Sequence, residues 1–122
     1  MTIERCHITF ENFWGEDLNK VRIIHDISDL HSPVQGMYLY NVKNLSTTPD
    51  ALSFFYRVED PHHWIVEFVT QSGKHWRSSV NFTCQIKPED NHQVILGING
   101  ESKRLYAAFP ASSSCSTELF VV

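Results

Sequence analysis

The sequence predicts an all-β chain, a single antiparallel β-sandwich of about nine or ten short strands, and three observations carry that prediction. Polar and apolar residues alternate along nearly the whole chain with a period of two, the signature of a half-buried strand. Turn-forming clusters recur at intervals of roughly ten residues, the spacing of sandwiches and barrels. No segment sustains the 3.6-residue stripe of a helix; Phe13 to Leu18 has room for one helical turn and nothing longer. At 122 residues there is length for one domain, residues 1–122.

The elements follow in order. Cys6, Ile8 and Phe10 face one way in the first strand, with Arg5, His7, Thr9 and Glu11 opposite. A second strand from about Lys20 to Ile27 puts Val21, Ile23 and His25 on one face. Ser28 to Pro33 reads as a turn, because Ser and Asp side chains offer local acceptors and proline stops a strand. Met37, Leu39 and Asn41 then alternate with Tyr38, Tyr40 and Val42. Leu45 to Asp50 reads as a polar connection, and Leu52, Phe54, Tyr56 and Val58 form the next apolar face. Trp64, Val66 and Phe68 give a strand with a hairpin turn at Ser72-Gly73-Lys74. The return strand carries Trp76 and continues through Phe82, Cys84 and Ile86, bent near Ser78-Ser79. Asn99-Gly100, after Val94 to Ile98, suits a type I′ turn with φ > 0 at both central residues. Leu105, Ala107 and Phe109 run back against it, and Thr117, Leu119 and Val121 form the last strand.

Charge narrows the partners. The net charge of −4 argues against general binding to nucleic-acid phosphates, which needs concentrated Lys and Arg. Residues 1–60 hold nine acids against five bases, and residues 61–122 hold five of each, so no basic run stands out. No stretch reaches the ~18 apolar residues of a membrane span, and the first residues lack the apolar core of a signal peptide. The expected compartment is therefore the cytoplasm, or the exterior by release without a signal peptide. The three cysteines, Cys6, Cys84 and Cys115, include no C-x-x-C pair. They read as small reduced core residues; the alternative is a Cys84–Cys115 disulfide between neighbouring strands, with Cys6 left over. Asn44-Leu45-Ser46 and Asn81-Phe82-Thr83 match the N-glycosylation pattern and, without a signal peptide, read as chance matches.

Three kinds of chemistry are worth placing. Seven histidines and three cysteines could supply a Cys–His nucleophile, yet Cys115 has no helix start or signature around it, so a catalytic role is not expected. His25, Asp29 and His31 cluster at a loop entrance and are the candidate ligands for zinc or calcium, although the spacing matches no established metal loop. His62 and His63 are adjacent, so a strand would turn them to opposite faces. Trp14, in Asn12-Phe13-Trp14-Gly15-Glu16, reads as a loop residue whose ring could stack on a sugar or enter a membrane interface. His62, His63 and Trp64 at a strand entrance form a second candidate binding surface; the competing reading puts Trp64 in the core.

Several segments, taken in order, resemble the up-regulated-in-daf domain. They are His25-Asp26-Ile27-Ser28-Asp29, Asp60 to Phe68, Asn81 to Asp90 and the closing Phe109 to Thr117. The resemblance implies a small β-sandwich and no catalytic residues. Ile27 stands where that family has an aromatic, and His62-His63 precede Trp64 in place of a further tryptophan.

The expected function is a non-enzymatic binding module that recognises a glycan or a protein through loops at the sandwich end. A membrane-binding sandwich resembling the aegerolysins, comparable in size and charge, is the alternative. A metal- or cysteine-dependent enzyme ranks third. An exposed edge strand would let two copies pair as a homodimer.

Overall fold

Strand by strand, the alternation read from the sequence becomes a two-faced sheet in the computed structural model. The structure describes residues 3–26, 35–57, 62–86, 90, 93–111 and 114–122. Among the described residues nine strands form: β1 (Ile3–Phe13), β2 (Leu18–Asp26), β3 (Gln35–Val42), β4 (Ser46–Arg57), β5 (His63–Thr70), β6 (His75–Ser78), β7 (Gln93–Asn99), β8 (Arg104–Ala108) and β9 (Cys115–Val121). The predicted all-β class is what the chain adopts. No α-helix occurs among the described residues, and residues 14–16 form a bend between β1 and β2.

The strands run in the order β3-β2-β5-β6-β9-β8-β7-β1-β4. Two half-sheets, β3-β2-β5-β6 and β8-β7-β1-β4, share β9. Residues Cys115 to Glu118 of β9 pair with β8, whereas Leu119 to Val121 pair with β6. The single strand that crosses between halves joins them into one nearly closed, barrel-like sheet instead of two separate layers. Among the described residues all strand pairings are antiparallel except β1 with β7, which makes the sheet mixed.

The inward faces of both halves make one core. Cys6, Ile8 and Phe10 of β1 meet Val21 and Ile23 of β2, Trp64, Val66 and Phe68 of β5, and Leu96 and Ile98 of β7. Phe82, Cys84 and Ile86 also alternate inward as read. They do so in extended chain beyond β6, which ends at Ser78. That chain lies beside the start of β5, where the Trp64 amide donates to the Phe82 carbonyl at 3.1 Å and the Cys84 amide to the His62 carbonyl at 3.2 Å.

Four expectations are corrected. Residues 46–50 belong to β4, where Pro49 is tolerated because β4 is an edge strand. Two extra residues of β4 are taken up by a register shift between Ile8 and Phe10, with Asp50 at φ 50°. The β7–β8 hairpin exists, but its turn is not the two-residue type I′. It spans residues 100–103; Lys103 holds the positive φ of 56°. The Asn99 side chain accepts the amides of Glu101 and Ser102. Gly100 is required for a different reason: a Cβ there would lie 1.7 Å from the Trp14 carbonyl oxygen. Cys84 and Cys115 form a disulfide, which overturns the reduced-core reading for these two, and Cys6 is a buried free thiol. Burial pushes the Cys6 thiol pKa up to about 12.

Candidate functional site

The residues singled out from the sequence mostly point inward. Trp14 is 8% exposed, its ring edge-on to Phe68 and Trp76 with centroids 4.9 Å from each. The Lys103 ammonium covers it at 4.9 Å. Trp14 is therefore not a surface plate: the bend at residues 14–16 folds its side chain back over the end of the core. Trp64 is fully buried, and its indole N–H donates to the Cys84 carbonyl at 2.8 Å. His62 is fully buried too, so neither presents itself to a ligand. His63 alone of that trio reaches solvent, on the opposite face, beside Thr83.

His25 is also interior. Its Nε2 lies 2.8 Å from His62 Nδ1, and its ring stacks on Phe54 at 3.7 Å. Desolvation, then the neighbouring His62 and His63, lowers its pKa to about 3, so it is a neutral core residue. Asp29 and His31, the other proposed zinc or calcium ligands, lie outside the described residues. Among the described residues no group of three or more His, Cys, Asp or Glu side chains is placed to hold a metal.

A different site emerges on the outer face of the β3-β2-β5-β6 half. Strand register lays out two rows across it. Tyr38, Arg22, Glu67, Arg77 and Phe120 follow one another across five strands. Tyr40, Lys20, Val69 and His75 follow one another in the next row. Between them lies a groove of about 130 Å³ lined by Lys20, Arg22, Tyr38, Glu67, Val69 and His75. Enclosed ligand clefts hold roughly 300–1,000 Å³, so this groove is an open, shallow one and not an enclosed cleft.

The groove is organised around one carboxylate. Glu67 meets Arg22 at 3.2 Å and His75 at 3.3 Å, which fixes both side chains in the floor. The Lys20 ammonium lies 4.5 Å above the Tyr38 ring, a cation–π contact that holds the lysine over the groove. Tyr38 and Tyr40 stack at 6.3 Å and stay 44% and 62% exposed. Two exposed tyrosines beside a lysine and an arginine make a patch that is amphipathic rather than purely polar.

Sequence reasoning noted Tyr38 and Tyr40 on one face but missed the site. The signal was there in part: Lys20/Arg22 and Tyr38/Tyr40 are both i, i+2 pairs, each sharing one face of a strand. What no spacing reveals is that β2 lies between β3 and β5 in the register that sets these pairs side by side.

No protein-family model matches the chain, and no curated protein is similar to it. The order of segments that resembles the up-regulated-in-daf domain stays an expectation from sequence. No described helix is long and apolar enough to cross a membrane.

Proposed function

We propose that this chain is a non-enzymatic binding module that takes a saccharide on the outer face of β3, β2, β5 and β6. The observation that supports it is the groove beside Tyr38 and Tyr40, floored by Lys20, Arg22, Glu67 and His75. A sugar ring has an apolar C–H face that packs on the electron-rich face of an aromatic ring. Its hydroxyls need donors and acceptors at the rim, and Glu67, Arg22, Lys20 and His75 offer both kinds within one short span. This reading places the binding surface on a sheet face, where the sequence favoured loops at the end of the fold.

The disulfide supports a compartment for this activity. Disulfides persist in oxidising surroundings, so Cys84–Cys115 favours the exterior over the cytoplasm. The lipid-binding alternative draws its support from Phe120, which is 51% exposed on the same face, across from Arg77.

A glycan array probed with the purified protein and with Tyr40→Ala tests the proposal. Binding to a saccharide set that Tyr40→Ala loses, at an unchanged melting temperature, is the expected result. Silence across the array, with flotation on lipid vesicles, would transfer the face to the lipid reading.

A further inference from the structure

Resting on that reading, we infer that the saccharide is acidic, bearing sulfate or carboxylate groups that sit between Lys20, Arg22 and Arg77. The inference begins with a charge imbalance. The chain carries −4 overall, yet the two rows across the outer face hold Lys20, Arg22 and Arg77 against the single carboxylate of Glu67. Glu67 is already shared between Arg22 and His75. Lys20 and Arg77 have no ion-pair partner among the described residues, and Glu118, the next acid outward on β9, lies opposite Arg104 of β8.

On the other half-sheet the polar side chains, charged and neutral alike, find hydrogen-bonding partners within the fold. There His7 meets Asp50 at 2.9 Å, Arg5 donates to Ser53 at 2.8 Å, Arg104 to Ser116 at 3.0 Å, and the Tyr106 hydroxyl donates to Glu11 at 3.0 Å. Cations left over on one face of an acidic protein are poised for anions from outside. The chain's own negative charge would otherwise repel such a ligand, so the local excess must be dense enough to overcome it.

The geometry selects the kind of anion. Arg22 spends part of its guanidinium on Glu67, and its neighbours across the rows are Tyr38 and Lys20, so cation and aromatic alternate along β2 and β3. A bare phosphate or sulfate ion would use the cations and ignore the tyrosines. A sugar with a charged substituent uses both: its ring lies on Tyr40 while the substituent reaches Lys20, the residue directly opposite Tyr40. Arg77, across Glu67 from Arg22, would meet the next acidic unit of a chain. An extended acidic polysaccharide therefore fits the open groove better than a compact ligand.

Isothermal titration with a heparin-derived hexasaccharide, its chemically desulfated counterpart and inorganic sulfate tests this. The sulfated oligosaccharide should bind at least about tenfold more tightly than the desulfated one, as expected for a charge-assisted hydrogen bond gained. Its affinity should weaken as salt rises. The double variant Lys20→Gln/Arg77→Gln should lose that preference while keeping its melting temperature, since both side chains are exposed. Equal binding of both oligosaccharides, or an unchanged preference in the double variant, overturns the acidic specificity and leaves the saccharide-binding reading standing. Binding of neither by native protein overturns both. Capture by phosphatidylserine-containing vesicles without any free oligosaccharide binding overturns it in favour of a lipid surface.

Discussion

The inward row of β5 has two ends, and they are built differently. At one end Phe68 joins Trp14 and Trp76 in an edge-to-face aromatic cluster roofed by Lys103. At the other Trp64 joins His25, His62 and Phe54, tied by a histidine–histidine hydrogen bond and by the indole bond to Cys84. Val66 separates them. Both ends are close-packed and rich in rings, but only the second buries titratable groups. Burying a ring costs little when its face is apolar; burying imidazole costs more and keeps it neutral. The first end is consequently held by contact alone. The second is held by contact plus polar bonds that depend on solution conditions.

Four experiments separate the ends. Trp64→Ala removes the largest fully buried side chain and a buried hydrogen bond, so urea unfolding should register a loss of roughly 3–5 kcal/mol. An unchanged midpoint would mean that this end is not packed as described. Reduction of Cys84–Cys115, which closes a 31-residue separation, should cost about 3–4 kcal/mol in the chain-entropy account. Its loop runs from the extended chain beside Trp64 to the start of β9, so the Cys84→Ser/Cys115→Ser variant should show a similar loss without reductant.

Acid should act on the histidine end. His25 titrates lower in the folded chain, at about 3, than its ordinary value of 6.5. Its stability contribution is therefore complete above about pH 6.5 and is lost as pH falls towards 3; at pH 5 the loss is about 2 kcal/mol. His25→Phe should flatten this stretch of the stability–pH curve, and a curve of the same slope would assign the acid sensitivity elsewhere. The smallest effect belongs to the aromatic end. Lys103→Met removes the cation over Trp14 and should cost under about 1 kcal/mol, read as a small shift of the thermal midpoint.

Much of this architecture was legible because burial leaves a period-two trace. Cys6, Ile8 and Phe10, or Trp64, Val66 and Phe68, announce which face is inside before any partner is known. What the trace omits is pairing. Trp14 lies outside any alternating run, so its sequence neighbours argued for a loop, whereas its position depends on Gly100 lying against its backbone from far along the chain. Gly100 matters here for close approach, and a turn table sees only its φ. The same limit applies to Gly97: a Cβ there would meet the Tyr106 ring at 2.0 Å, and its absence lets Tyr106 lie across the strand to reach Glu11. Charge patterning failed for the groove for a related reason. Lys20 and Arg22 are ordinary outward residues of one strand until β3 and β5 bring Tyr38, Tyr40 and Glu67 beside them.

The strand shared by both halves sets the order in which this molecule can be finished. β9 is the last strand in the chain, yet β6 and β8 both need it as their second neighbour. While residues 115–121 are still within the ribosome, each half-sheet ends in an unpaired edge, and Cys84 lacks its native partner. Closure of the sheet and formation of the disulfide both wait for residues 115–121 to emerge. A nascent chain waiting at that point would be open to edge-to-edge pairing with its neighbours on the same message.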